Sequence, residues 1–102
     1  MEKIINGIKY RLNENTLTAE VIKKRGYKGE ETITIPDTIK LKEVRYDVTS
    51  IGESAFEGCS LLTAITIPAS VMSIGVHAFN GCISLKTIQY NGTKEQKKQI
   101  KF

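Results

Sequence analysis

Cys59, Cys82 and His77 are the residue types in this 102-residue chain that metal or nucleophilic chemistry would draw on, and His77 is the only histidine. Structural zinc takes four ligands, usually from closely spaced pairs of Cys or His. Here two distant thiols and one imidazole leave the fourth ligand unsupplied. A serine or cysteine nucleophile needs a base beside it, and no G-x-S-x-G, H-E-x-x-H or G-x-x-x-x-G-K-S/T string occurs. The residues therefore lead us to expect no catalytic site, no metal and no cofactor.

A repeat explains the cysteines better. Displacing the sequence by 23 residues lays Val48 on Val71, Ser50 on Ser73, Ile51 on Ile74, Gly52 on Gly75, Ala55 on Ala78 and Phe56 on Phe79. Gly58 then meets Gly81, Cys59 meets Cys82, Leu62 meets Leu85, and Ile65 meets Ile88. Units 48–70 and 71–93 share one pattern, with a period inside the range of leucine-rich repeats. If such units stack, equivalent residues lie about 4.8 Å apart. Cys59 and Cys82 are then adjacent small side chains of the interior, read as free thiols; a disulfide is geometrically allowed at that separation but not required. His77 takes the place of Ser54, and a position that accepts both is expected at the surface.

The strands that position these residues follow from the spacing LxxLxL, present as Leu62, Ile65, Ile67 and again as Leu85, Ile88, Tyr90. Alternate side chains of an extended strand face opposite ways. The expected inward ladder is Ile51, Phe56, Cys59, Leu62, Ile65 and Ile67 in one unit, and Ile74, Phe79, Cys82, Leu85, Ile88 and Tyr90 in the next. The outward strand positions, Thr34, Ala64, Thr66, Thr87 and Gln89, form the candidate protein-binding face. These are small side chains, without the aromatic and arginine anchors that dominate most interfaces, and threonine also stands in strands because it suits them. Gly52, Gly75, Gly58 and Gly81 recur at fixed offsets, which predicts left-handed backbone at each. Phe79→Ala is expected to cost roughly 3 to 5 kcal/mol.

An earlier, partial copy runs through residues 31–47, where Ile33, Thr34, Ile35 and Pro36 reproduce Ile65, Thr66, Ile67 and Pro68. Between Pro36 and Val48, two alternating runs around Lys42 and Glu43 predict an inserted β-hairpin. Upstream, residues 7–12 and 17–23 alternate around the turn formers Asn13 to Thr16, which predicts a hairpin within residues 1–30. A stack exposes apolar side chains and strand edges at its ends, and this hairpin is placed to cover the first one. At the other end Thr93 and Gln96 have capping-box spacing for a helix through about Ile100, so residues 94–102 are read as a C-terminal helical cap, with Ile100 and Phe102 folding back over the last unit. The fold class expected is thus mainly β with short helical turns: one leucine-rich-repeat solenoid domain, 1–102, of about three coils. An open edge of so short a solenoid is a candidate for homodimer pairing.

Composition agrees with one small folded domain, at 40% hydrophobic and 25% charged residues. No apolar stretch approaches the length of a membrane span, so membrane insertion is not expected. The first residues lack the basic start and apolar core of a secretory signal, which implies a protein retained in the cell or an excised piece. The net charge is +4, with basic residues clustered at Lys23, Lys24, Arg25 and Lys28 and again at Lys94, Lys97, Lys98 and Lys101. No aromatics are interleaved with them, so we read solvated ends and do not expect nucleic acid as a partner; weak polyanion binding through these clusters ranks last among the functional readings.

The strings "VTSIGESAFEGCSLLTAITIPAS" and "VMSIGVHAFNGCISLKTIQYNGT" together resemble the BspA-like leucine-rich repeat family of bacterial surface proteins. The shared blocks are SIG, AF-x-GC and ITIP in fixed order; they cover residues 48–93 well and 31–47 in part. The tail "YNGTKEQKKQI" is similar to the family's closing segment, which usually has tryptophan at the place of Lys97. The resemblance implies a curved right-handed solenoid acting as an adhesin-like protein-interaction module at the cell surface or secreted, with a protein ligand and no reaction. A capping or spacer role within a larger repeat protein is the alternative reading.

Overall fold

The computed structural model describes all residues, 1–102. Its first strands come from local turn chemistry. β1 (Glu2–Ile5) and β2 (Ile8–Asn13) pair antiparallel across Asn6 and Gly7, both with positive φ. Asn-Gly suits the tight hairpin turn whose two central residues require that conformation. β2 then pairs with β3 (Thr18–Val21) across a loop held by the Asn13 side chain, whose Oδ1 accepts the amides of Asn15 at 2.9 Å and Thr16 at 3.1 Å. The structure thus has a three-stranded meander where the sequence predicted one hairpin. The additional strand was announced by the Asn6-Gly7 dipeptide between Ile5 and Ile8.

After a 3-10 turn at Arg25–Gly29 the chain enters β4 (Thr32–Thr34), then the predicted inserted hairpin of β5 (Thr38–Leu41) and β6 (Val44–Ile51). Its turn residues, Lys42 (φ 51°) and Glu43 (φ 69°), adopt left-handed backbone without any Gly or Asn. β7 (Ala64–Ile67), β8 (Ser73–Ile74), β9 (Thr87–Tyr90) and α1 (Lys94–Lys98) complete the order. Thr93 caps α1 as predicted: its Oγ1 accepts the Gln96 amide at 3.0 Å, and its own amide donates to Gln96 Oε1 at 2.8 Å. Regular helix stops at Lys98, two residues before Ile100.

Two sheets result. One has the order β1-β2-β3-β6-β5, with β8 joined to the later part of β6; the other is all parallel, β4-β7-β9. Parallel neighbours are in repeat register: Val21 opposite Ile51, Ile51 opposite Ile74, and Ile33 opposite Ile65 opposite Ile88. The connections at 52–62 and 75–86, expected as short helical turns, are successive i to i+3 turns without regular helix. They are tied to each other: the amides of Ser54, Phe56 and Gly58 donate to the carbonyls of Val76, Ala78 and Asn80 at 2.8 to 3.1 Å. In the first connection alternate amides thus bond between units and the others within it, which interrupts the i to i+4 ladder of a helix.

Two of the four repeated glycines are left-handed, Gly58 (φ 77°) and Gly81 (φ 79°). Gly52 and Gly75 are not, and they are glycine for a different reason. The Gly75 amide donates to Ile51 O at 2.7 Å, and a Cβ there would lie 2.5 Å from the Glu53 nitrogen. Close approach of consecutive units, not turn conformation, excludes a side chain at that point.

One core runs through the stack. Val21, Val48, Ile51, Phe56, Leu62, Ile65 and Val71 are at most 1% exposed. Along the turn side, Tyr27, Phe56 and Phe79 form a column of rings with centroids 4.9 and 5.7 Å apart. Tyr27 also ties the meander to the stack, because its hydroxyl accepts the Lys9 amide at 2.9 Å and donates to Ile22 O at 3.1 Å.

Candidate functional site: the outward face of the parallel sheet

The β4-β7-β9 register arranges the outward side chains in two rows. Thr34, Thr66 and Gln89 form one, and Thr32, Ala64 and Thr87 the other. Thr34, Thr87 and Gln89 are exposed, while Ala64 and Thr66 are half-buried. The five residues singled out from the sequence thus lie on three neighbouring strands. Gln89 donates to Asn91 Oδ1 at 3.1 Å, and the hydroxyls of Thr34, Thr66 and Thr87 have no protein partner. The face is a grid of small uncharged groups on fixed backbone, able to offer hydrogen bonds and shape but no acid, base or nucleophile.

Behind it, Ile51, Phe56, Cys59, Leu62, Ile65, Ile67 and Ile74 are buried. In the following unit Phe79, Cys82, Leu85 and Tyr90 are only partly buried, and Ile88 is 53% exposed. Ile88 lies opposite Ile65 in the ladder. It differs because β9 has a strand on one side only.

Cys59 is buried and Cys82 half-buried, both as free thiols. Burial raises both thiol pKa values, and a nearby Cys82 raises that of Cys59 further. Cys82 Sγ donates to Phe56 O at 3.1 Å. A raised pKa keeps a thiol protonated and poorly nucleophilic. His77 is exposed and left-handed (φ 61°), like Ser54 (φ 57°) in the equivalent position. No group of three or more His, Cys, Asp or Glu side chains stands close enough to share a metal ion.

A polar cleft of about 560 Å³ lies between β2, β3 and Glu53, with Glu2, Lys9, Arg11, Glu20 and Lys23 in its wall. Four of its charges are matched to one another. Arg11 spans Glu2 at 3.4 Å and Glu20 at 3.2 Å, and Lys9 meets Glu2 at 3.5 Å. Lys23 pairs with Glu57, outside the cleft, at 3.7 Å, and Glu53 has no ion-pair partner. Exposed pairs of this kind contribute little.

Parallel strands stacked at a fixed repeat, with an apolar ladder behind a polar outward row, define a leucine-rich-repeat protein. The family described as "BspA type Leucine rich repeat region (6 copies)" matches residues 31–102, and the chain belongs to it. A leucine-rich cell surface protein of Faecalibacterium prausnitzii is similar over 99% of this chain and 26% of its own, at 30% identity and TM-score 0.78. A leucine-rich repeat protein of Bacteroides ovatus is similar over 84% of this chain and 22% of its own, at 37% identity and TM-score 0.76. One of Bacteroides capillosus, at 29% identity and TM-score 0.76, is covered over 65% of its length, with 88% of this chain. The chain therefore spans from about a quarter to about two thirds of these structural relatives. No curated protein sequence matches it. No helix is long and apolar enough to cross a membrane.

Proposed function

We propose that this chain is a non-enzymatic protein-interaction module, adhesin-like and displayed at the cell surface, whose contact face is the outward side of β4, β7 and β9. In this reading the chain is a right-handed stack of about three coils, with the N-terminal meander and the C-terminal helical segment as its ends. The observation that carries the proposal is the register that puts Thr34, Thr66 and Gln89 in line, with Ala64 and Thr87 beside them. Rigid strands present these groups without the entropy loss that ordering a loop would add on binding. The cell-surface relative in Faecalibacterium prausnitzii supports the placement.

The test is surface plasmon resonance against a panel of purified host matrix proteins, comparing the parent with a Thr66→Lys, Gln89→Lys variant. Binding that is lost in the variant at an unchanged melting temperature supports the proposal. Binding that survives the substitutions, or none by the parent, rejects it.

A further inference from the structure

Asparagine followed by glycine is a reactive pair, because the glycine nitrogen can attack the asparagine Cγ and, lacking a Cβ, approaches it unhindered. The chain has three such pairs, Asn6-Gly7, Asn80-Gly81 and Asn91-Gly92. All three asparagines are exposed, so their hydrogen bonds are what separates them. Asn80 is held from several sides: its side chain donates to Glu57 Oε2 at 3.3 Å, its amide donates to His77 O at 3.1 Å, and its carbonyl accepts the Gly58 amide at 2.8 Å. The Asn91 amide donates to Ile67 O at 2.9 Å, and its Oδ1 accepts from Gln89 at 3.1 Å. The Tyr90 ring lies over Gly92, 2.5 to 2.6 Å from where a Cβ would stand.

Asn6 has none of these restraints. Its side chain and the Gly7 amide bond to no protein group, and nothing lies within 4 Å of the Cβ position of Gly7. The turn is set by Ile5 opposite Ile8, at the far end of β1 from Met1. β1 is an edge strand, with Glu2, Lys3 and Ile4 exposed and Ile5 half-buried. A strand with so little burial opens locally at small cost, and the turn with it.

We propose that Asn6 is a site of spontaneous deamidation and that its isoaspartyl product releases β1 from β2. The Gly7 nitrogen gives its proton to solvent and bonds to Asn6 Cγ, the side-chain nitrogen leaves as ammonia, and a five-membered succinimide closes. Water then opens the ring. Attack at Cγ restores the ordinary peptide bond and leaves aspartate; attack at the main-chain carbonyl leaves isoaspartate, with the backbone running through Cβ and Cγ. The sum is one water consumed and one ammonia released. Asp-Gly suits the same turn as Asn-Gly. Isoaspartate lengthens the main chain by a methylene, so the tight turn no longer holds Ile5 opposite Ile8. Glu2 then leaves Lys9 and Arg11, its partners at 3.5 and 3.4 Å. The site is separate from the outward face and does not rest on that reading.

The full chain is kept in warm, mildly alkaline buffer and digested with trypsin at intervals. Cleavage after Lys3, Lys9, Arg45, Lys86 and Lys94 puts Asn6 in peptide 4–9, Asn80 in 46–86 and Asn91 in 87–94. A one-dalton gain is expected first in 4–9, with the other two slower by about tenfold, since the hydrogen bonds that hold them must break before the attack. In urea the three should convert at similar rates. Isoaspartyl methyltransferase should label the product peptide. In the isoaspartyl form, separated by ion exchange, hydrogen exchange of β1 should quicken by about tenfold, while an Asn6→Asp variant keeps the parent rate. An unchanged 4–9, an earlier gain in 46–86 or 87–94, or the same order of rates in urea would overturn the proposal. So would a β1 that exchanges as slowly in the isoaspartyl form as in Asn6→Asp.

Discussion

The rings of Phe56 and Phe79 stack 5.7 Å apart and 5° from parallel, yet Phe56 is fully buried and Phe79 only partly so. Equivalent residues of consecutive units thus have unequal surroundings. Phe56 lies between Tyr27 and Phe79, whereas Phe79 has a ring neighbour on one face only. Phe56→Ala is expected to cost about 3 to 5 kcal/mol and Phe79→Ala clearly less, since only part of the Phe79 surface leaves water on folding. Urea unfolding of the two variants measures the order. A larger loss for Phe79→Ala would reject the column as drawn.

Tyr27→Phe removes a hydroxyl that both accepts from Lys9 and donates to Ile22. The orphaned Lys9 amide and Ile22 carbonyl should cost about 1 to 3 kcal/mol. The meander should loosen before the stack does, seen as faster hydrogen exchange at Lys9 than at Ile65.

The buried phenols predict the alkaline limit of the fold. Burial pushes the pKa values of Tyr10 and Tyr27 up to about 12, from an ordinary value near 10. Between those values the folded chain holds protons that the unfolded chain releases, so stability is complete below about pH 10 and falls as pH rises towards about 12. Part of the phenolate absorbance should develop only as far-UV structure is lost. Full phenolate absorbance from an intact fold would contradict the burial.

Gly75→Ala would place a methyl group against the Glu53 backbone, which cannot move aside as a flexible side chain could. The consecutive units must separate, at a cost of about 1 to 3 kcal/mol or more. Gly29→Ala is the control, because nothing lies within 4 Å of its added methyl. Thermal melts of the two proteins should differ clearly, with Gly29→Ala near the parent.

Replacing Lys42 and Glu43 with Asn and Gly should raise stability by about 0.5 to 1 kcal/mol, because both positions need left-handed backbone. The exposed pair of Lys40 and Glu43 at 3.5 Å is lost in the exchange, at little cost. A lowered melting temperature would show that the turn conformation is assigned wrongly.

Much of the arrangement was legible because a repeat carries its own evidence. The 23-residue displacement that matches Ile65 with Ile88 is also their strand register, and the Thr93 to Gln96 spacing is the observed capping box. Tyr27, the third ring of the column, is not among the expected ladder residues, although Tyr27-Lys28-Gly29 mirrors Phe56-Glu57-Gly58 and Phe79-Asn80-Gly81. The signal was hidden by length: Tyr27 precedes Phe56 by more than one repeat because the hairpin of β5 and β6 intervenes.

The chain's residues alone determined the period, the strands and which side chains share a row, because each follows from local spacing that every unit repeats. Only the tertiary structure decided how deeply a row is covered, which glycine is needed for close approach, and that β3 joins β6 in parallel. Burial depends on what stands on both sides of a residue, and a repeat pattern is the same in the middle of a stack as at its end.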